Sequence, residues 1–458
     1  MEREEINLKL ESQKKFFESG ITLDVNYRLE ILKKLRTLIL TNENELINAL
    51  KDDFHKPSFE TIATESRLVM SDLNLLIRKL RKWSGKKRVR TPLVQFIAKN
   101  YIVAQPYGQV LIMSPWNFPF LLSMEPLIGA IAAGNCIVLK VSQQVPAVSG
   151  VIKNILKQLP EEMILFVSGD HSVSDHLLNY KFDYIFFTGS GRIGKQVMAK
   201  AAQNLIPVSL ELGGKNPCVV ADDAKLDYAA KRVAWGKFIN AGQTCIAPDY
   251  LLIDKKVKER FIELLIKEIK NFYGDDPEKS TDLCRVISSS SATRLGSLMN
   301  TGEIVAGGIF SAEKRYVAPT IITGVTGDDA VMEDEIFGPV LPVLEFNDFS
   351  EIFPVISRHP KSLAAYIFTG SRTRKREFMN RTQSGSVAVN DTVLQIASSH
   401  LPFGGIGPSG IGRYHGKKSF ETFSNMRSVM EKSNLVDIFV RYPPYSRLKE
   451  NIVRLLMR

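Results

Sequence analysis

Between residues 109 and 212, short apolar runs alternate with helical patterns, and this alternation restricts the fold more than any other feature of the chain. Strands are expected at 109–114, 136–141, 164–167, 183–187 and 207–212, and helices at 120–133, 145–159 and 193–204. Strands this short and apolar offer no side to solvent. They belong in a parallel sheet covered by helices on both faces. Upstream, residues 1–82 read as helices, with Leu29, Ile31, Leu32, Leu35, Leu38 and Leu40 at helical spacing. Downstream lies a second α/β stretch, with strands at 217–220, 250–253, 364–368 and 386–389 and helices near 227–240 and 256–271. A strand at 101–106 is expected in a hairpin, 401–412 is too glycine-rich for regular structure, and 437–458 form a basic amphipathic tail. A boundary falls near 209–213, where a strand runs into Gly213-Gly214. The fold class is α/β.

A chain of 458 residues suggests two or three domains. Its four cysteines, Cys136, Cys218, Cys245 and Cys284, form no C-x-x-C pair and no Cys/His cluster, so neither a metal site nor a disulfide framework is indicated. Reduced thiols fit a cytoplasmic setting. The acidic start Met1-Glu2-Arg3-Glu4-Glu5 has no apolar leader region. No uncharged apolar run approaches the ~20 residues of a membrane span. The net charge of +11 is mostly scattered over helices. Its densest cluster, at 79–90, has too few interleaved aromatics for a nucleic-acid surface, and no nucleic-acid partner is expected.

Four stretches carry candidate chemistry. Phe187-Thr188-Gly189-Ser190-Gly191-Arg192-Ile193-Gly194 satisfies G-x-G-x-x-G between a strand and a helix. It fits a phosphate site at a helix N-terminus or an ordinary tight turn. Such a site expects an acidic residue about 20 positions on, where Glu211 stands. Asn117, in Ser114-Pro115-Trp116-Asn117-Phe118-Pro119-Phe120, is either a turn residue or an amide donor to a developing oxyanion. Glu211, in Leu210-Glu211-Leu212-Gly213-Gly214, has a second reading: a carboxylate among apolar residues has a raised pKa and suits a base. Cys245, in Asn240-Ala241-Gly242-Gln243-Thr244-Cys245, lies among small and polar residues between a helix and a strand pattern. It is a loop cysteine or a nucleophile activated by backbone dipoles. Glu333-Asp334-Glu335-Ile336-Phe337-Gly338-Pro339 reads by itself as a charged turn before a strand.

Together these stretches resemble the aldehyde dehydrogenase superfamily, in order and over nearly the whole chain. The most specific are Pro115-Trp116-Asn117-Phe118-Pro119, Leu210-Glu211-Leu212-Gly213-Gly214-Lys215-Asn216-Pro217, Gly242-Gln243-Thr244-Cys245, Glu335-Ile336-Phe337-Gly338-Pro339 and Pro402-Phe403-Gly404-Gly405. Cys245-Ile246-Ala247-Pro248-Asp249-Tyr250, Tyr414-His415-Gly416-Lys417-Lys418-Ser419-Phe420 and Arg441-Tyr442-Pro443-Pro444-Tyr445 are similar to the class 3 group.

The resemblance implies oxidation of aliphatic or aromatic aldehydes to carboxylic acids with NAD and/or NADP. Cys245 matches the nucleophile, which forms a thiohemiacetal and then a thioester. Asn117 and the Cys245 backbone N–H match the oxyanion hole, and Glu211 the base that activates water. That settles Glu211 in favour of catalysis and leaves the G-x-G-x-x-G match partly coincidental. Lys140 and Gln143 match positions at the adenosine ribose, and Glu335 the position at the nicotinamide ribose, with Phe337 packed near it. Gly189, Ser190, Gly194 and Trp116 match the surroundings of the phosphates. Phe118, Phe120 and Phe403 suggest an apolar substrate tunnel.

The resemblance further implies a Rossmann-like cofactor domain over 1–84 and 106–209 and a catalytic domain over 210–393. A small β oligomerisation or bridging element at 85–105 and 394–425 and a C-terminal extension at 426–458 complete the division. It implies a homodimer, and the tail adds a candidate weak contact with membrane surfaces. Two departures stand out: Gln143 replaces the family's usual glutamate, and Phe118 replaces the tyrosine frequent in class 3. Rival readings are a coenzyme A-acylating relative and a non-catalytic binding protein on the same scaffold.

Overall fold

The apolar runs between residues 109 and 211 fold as strands Gln109–Met113, Cys136–Val141, Ile164–Ser168, Tyr184–Thr188 and Val208–Glu211, in a computed structural model that describes residues 3–457. All five are mutually parallel through their neighbours, and Gly410–Ile411 adds an antiparallel sixth beside Val208–Glu211. The spatial order is Gly410–Ile411, Val208–Glu211, Tyr184–Thr188, Gln109–Met113, Cys136–Val141, Ile164–Ser168. The chain therefore builds outward in one direction from Gln109–Met113, then crosses back and builds the other way. Ligands bind such sheets outside the carboxyl ends of the strands at this switch point.

A second sheet has seven strands, in the order Glu303–Ala306, Thr320–Thr323, Val340–Phe346, Tyr250–Asp254, Pro217–Val220, Ser362–Phe368, Ser384–Val389. All its pairs are parallel except Glu303–Ala306 with Thr320–Thr323. The N-terminal helices Val25–Thr41, Glu43–Phe54 and Arg67–Trp83 pack on the first sheet's helices, including Leu121–Ala133. Of the leucine series expected to face the core, Leu29, Leu32, Leu35 and Leu38 are buried, whereas Leu40 points to solvent.

The expected strand near 101–106 runs from Ala98 to Pro106. It lies between Lys87–Val89 and Ser424–Lys432 in a three-stranded antiparallel sheet. Ser424–Lys432 was not foreseen, because this largely exposed strand is mostly polar and shows no alternation. It runs through the expected boundary at 425/426. The strand expected after the charged turn at 333–340 is Val340–Phe346, whereas the helices His171–Asn179, Ser289–Leu298 and Arg372–Arg381 were unforeseen. The last has Phe378 as its sole buried residue, too little apolar surface to reveal a period. In the tail, Arg447–Leu456 is helical and buries no residue. Among the described residues no helix is long and apolar enough to cross a membrane.

Candidate active site

The carboxyl edge of the six-stranded sheet carries one set of the foreseen residues. Lys140 lies near the end of Cys136–Val141, and Gln143 is exposed just beyond it. Among the described residues no carboxylate comes within ion-pair distance of Lys140, and burial holds its pKa below the usual lysine value. Thr188 ends its strand with a buried hydroxyl that has no partner. Ser190 caps the helix Gly191–Ala202, its side chain accepting from the Ile193 N–H at 3.5 Å. The Gly189 N–H donates to the Glu211 carbonyl at 3.0 Å, tying the glycine turn to the strand of the candidate base. A Cβ on Gly191 would meet open space, whereas one on Gly194 would lie 2.7 Å from Leu212. Gly194 thus serves helix–sheet packing, and Gly191 leaves the helix N-terminus open to an anion.

The amino edge of the seven-stranded sheet carries the other set. Cys245 precedes Tyr250–Asp254, and Glu335 and Phe337 precede Val340–Phe346. The nucleophile turn is formed by Asn240, Ala241 and Gly242, all left-handed at φ 53°, 53° and 70°. Gly242 lies against the Gly338 carbonyl with no room for a Cβ. Only glycine combines that φ with that approach. The contact fixes the turn against the Glu335 segment. Asn216 Nδ2 donates to the Cys245 and Ala247 carbonyls, both at 2.9 Å. Lys215 Nζ lies 2.7 Å from Asp249 and donates to the Val331 and Asp334 carbonyls at 2.8 and 3.0 Å. Asp249 Oδ1 accepts the Ile336 N–H at 3.0 Å. A buried ion pair thus sets the segment carrying Glu335 beside the one carrying Cys245.

Asn117 joins the two edges. Its Nδ2 donates to the Gln243 carbonyl at 3.1 Å, and its own carbonyl accepts from Asn240 Nδ2 at 2.7 Å. The second amide N–H of Asn117 has no acceptor among the described residues. Burial raises the Cys245 thiol above its usual pKa, and the carboxylates of Glu335 and Glu211 add to this; the N–H groups of Cys245 and Ile246 oppose it. Glu211 is 3% exposed, and neither of its carboxylate oxygens has a partner. Its pKa is pushed well above the carboxylate range by burial, against the pull of Arg413. Burial, then Asp249, pushes Glu335 up to about 8. Its carboxylate lies directly over Gly213. The Trp116 and Phe337 rings meet edge-on, 5.4 Å apart.

Two spaces adjoin this cluster. A groove of about 660 Å³ is lined by Gly191, Lys195, Leu212, Gly213, Glu335 and Lys361. A smaller apolar cavity of about 130 Å³ reaches Cys245 and Thr244 and is walled by Phe118, Leu121, Leu122, Trp235 and Phe403. Phe120 does not line it. That ring is fully buried, which corrects its expected place in a tunnel. Among the described residues no cluster of metal-ligating side chains occurs.

The open cradle at Gly191, the orphan Thr188 hydroxyl and the unpaired Lys140 fit a phosphate- and ribose-bearing ligand. The bracing residues Lys215, Asn216, Asp249 and Asn240 were assigned no role from sequence. The available signal was the presence of Lys, Asn and Asp inside otherwise apolar or glycine-rich runs, where a polar side chain needs a partner.

The chain matches the profile described as Aldehyde dehydrogenase family over residues 1–429. It is 41% identical to 4,4'-diaponeurosporen-aldehyde dehydrogenase of Staphylococcus aureus, over 96% of this chain and 96% of that protein. It is 40% identical to a dimeric, NADP-preferring aldehyde dehydrogenase of Canis lupus familiaris, over 93% and 95% of the two chains. A structure of the substrate-bound state of Staphylococcus aureus AldH superposes with a TM-score of 0.97 at 40% identity, covering 99% of each chain.

Proposed function

This chain belongs to the aldehyde dehydrogenase family, and we propose that it performs the family's NAD(P)-dependent oxidation of aldehydes to acids through a thiohemiacetal and thioester on Cys245. The observation that carries the proposal is the meeting of Cys245, Asn117 and an unpartnered Glu211 at the joint between two sheet edges and an apolar cavity. The Cys245 thiol loses its proton to solvent water, the Cys245 and Ile246 N–H groups favouring the anion, and the thiolate attacks the aldehyde carbon. The free amide N–H of Asn117 and the Cys245 N–H receive the oxyanion, where each donor is typically worth about 100–1,000-fold in rate. NAD(P)+, when bound, would supply the hydride acceptor for this oxidation. Glu211, with no partner to satisfy, takes a proton from water so that hydroxide cleaves the thioester. Lys140 and Gln143 would hold the adenosine ribose, Gly189 and Ser190 the phosphates, and Glu335 the nicotinamide ribose, with Phe337 packed near it and Trp116 among the cofactor-binding residues.

The apolar walls favour aliphatic or aromatic aldehydes over polar ones. A kcat/KM series from acetaldehyde to hexadecanal checks this: a rise with chain length supports it, and a flat or falling series removes it. The same assay separates hydrolysis from acyl transfer. Free acid as the product with coenzyme A present supports Glu211 as base, and acyl-CoA refutes it.

The cofactor domain is assigned to 1–84 and 106–209, and the catalytic domain to 210–393. The bridging element, 85–105 and 394–425, is carried on to Lys432 because its strand ends there. A homodimer follows the canine relative's description as dimeric. A cytoplasmic setting rests on four free cysteines. The tail helix, with Leu448 and Leu455 exposed beside Arg447 and Arg454, suits an anionic lipid surface. Equal liposome binding by the full chain and a version ending at Arg441 would remove that contact.

A further inference from the structure

Behind the site runs the segment from Phe54 to Arg67, which includes one π-helical turn, Ile62–Ser66. Such turns interrupt the regular ladder and re-aim side chains. Here Ala63 and Thr64 face the apolar cavity. Glu60 and Glu65 instead turn inward onto the chain that carries the catalytic groups. Glu65 Oε1 lies 2.7 Å from Lys56 Nζ, and both side chains are fully buried. Glu65 Oε2 accepts the N–H groups of Phe120 and Leu121 at 2.9 and 3.1 Å, at the start of the helix that follows Asn117. The Lys56 ammonium lies 4.3 Å from the centre of the Phe118 ring. Glu60 Oε1 accepts the Asn240 N–H at 2.9 Å and the Cys284 thiol at 3.4 Å. Asn240 is the left-handed residue that opens the nucleophile turn, and its amide holds the Asn117 carbonyl.

One carboxylate therefore grips the chain just after Asn117, and the other grips the start of the turn leading to Cys245. Lys56 pairs with Glu65 and feels the charge of Glu60. For stability alone, apolar residues of similar volume would serve such a buried cluster as well or better. We propose that Glu60 and Glu65, the latter paired with Lys56, are positioning residues that keep the Asn117 loop and the Asn240 turn in register, so that the Asn117 amide meets the carbonyl attacked by Cys245. This rests on the roles proposed above for Asn117 and Cys245.

The test is a cycle on the rate of the first-turnover NAD(P)H burst, counted per active site. Glu60→Met removes the acceptor at similar length, and Glu60→Gln keeps one oxygen. Glu60→Met is expected to slow the burst about 100-fold, the scale of a 1 Å misplacement. Its KM values and the rate of Glu60→Gln stay within about threefold of the parent. Asn117→Ala alone slows the burst about 100–1,000-fold, and adding Glu60→Met costs no more than about threefold further. Equal losses in Glu60→Gln and Glu60→Met, a loss carried by KM, or multiplied losses in the double variant would overturn the inference. Full activity in Asn117→Ala would bring down the oxyanion assignment and the inference with it. If Glu60→Met does not fold, Glu60→Asp, which withdraws the acceptor by one methylene, carries the same comparison.

Discussion

The six-stranded sheet meets the cleft with its carboxyl edge and the seven-stranded sheet with its amino edge, and the two edges hold the chain around their site residues differently. On the first, among the described residues, Lys140 has no ion-pair partner, and the Thr188 hydroxyl and both Glu211 oxygens have no hydrogen bond. On the second, Lys215 and Asp249 form a buried pair, and Asn216 and Asp249 bind main-chain groups at 2.9–3.0 Å around Cys245 and Glu335. A buried polar group without a partner costs about 1–3 kcal/mol. The first edge bears that cost where a cofactor or water completes the bonding. The second pairs the groups that brace Cys245 and Glu335 and holds a strained turn, while Asn240 Oδ1, Thr244, Lys237 and the Tyr250 hydroxyl stay without partners among the described residues. In the proposed function the open edge binds the cofactor and the braced edge fixes Cys245.

The largest expected effect is at the tip of the braced edge. Cys245→Ser should lower kcat at least about 10⁴-fold, as loss of a nucleophile does elsewhere, with an unchanged circular dichroism spectrum. Retained turnover would remove Cys245 as the nucleophile and the reason for bracing. Next is Glu211→Gln, expected to cut steady-state turnover about 10³-fold while leaving the first-turnover burst. The sign with pH follows from the raised Glu211 pKa. The basic form appears only as pH rises, so hydrolysis falls as pH drops through a value above the usual carboxylate range. That limb should vanish in the variant. A burst lost together with turnover would place Glu211 in the first half of the reaction instead.

A matched pair tests the contrast itself. Asp249→Asn breaks a buried ion pair and should lower unfolding stability by about 3 kcal/mol. Lys140→Met, on the open edge, should change it by no more than about 0.5 kcal/mol and instead raise KM for the cofactor. Urea unfolding of both variants reads the difference. Equal destabilisation would mean that the open edge is braced as well.

The same contrast explains what the sequence could tell. Cys245, Glu211 and Asn117 stood out as candidates because the proposed chemistry demands particular residue types within short motifs. The parallel sheets were legible because their buried strands are short and apolar. Lys215, Asp249, Asn240, Glu60 and Glu65 were not, because their partners lie far off in the chain: Glu60 meets Asn240 and Glu65 meets Phe120 only after folding. Gly194 fits a phosphate motif yet packs on Leu212, and Phe120 has the same apolar character as Phe118 yet faces the core. Periodicity reports that a side chain is buried, not which of two interior spaces it faces. Ser424–Lys432 gains its strand character from pairing with Ala98–Pro106, a register absent from its own polar sequence.

The smallest expected effect probes the open edge at its mouth. Gln143 is exposed just past Lys140 and bears no charge. In the proposed site, where Lys140 would hold the adenosine ribose, an amide there would bond a 2′-hydroxyl without repelling a 2′-phosphate. The unaltered enzyme should therefore use both cofactors, with kcat/KM for NAD+ over NADP+ below about 1,000, a gap of about 4 kcal/mol. Gln143→Glu places a carboxylate against that phosphate and should raise the ratio about tenfold, near 1.4 kcal/mol, mainly through KM for NADP+. Because the site is exposed, the added discrimination should weaken as salt rises past the point where the screening length is about 10 Å. An unchanged ratio would mean that the ribose does not sit at this end of the edge. A changed ratio indifferent to salt would mean that the discrimination arises from shape and not from charge at Gln143.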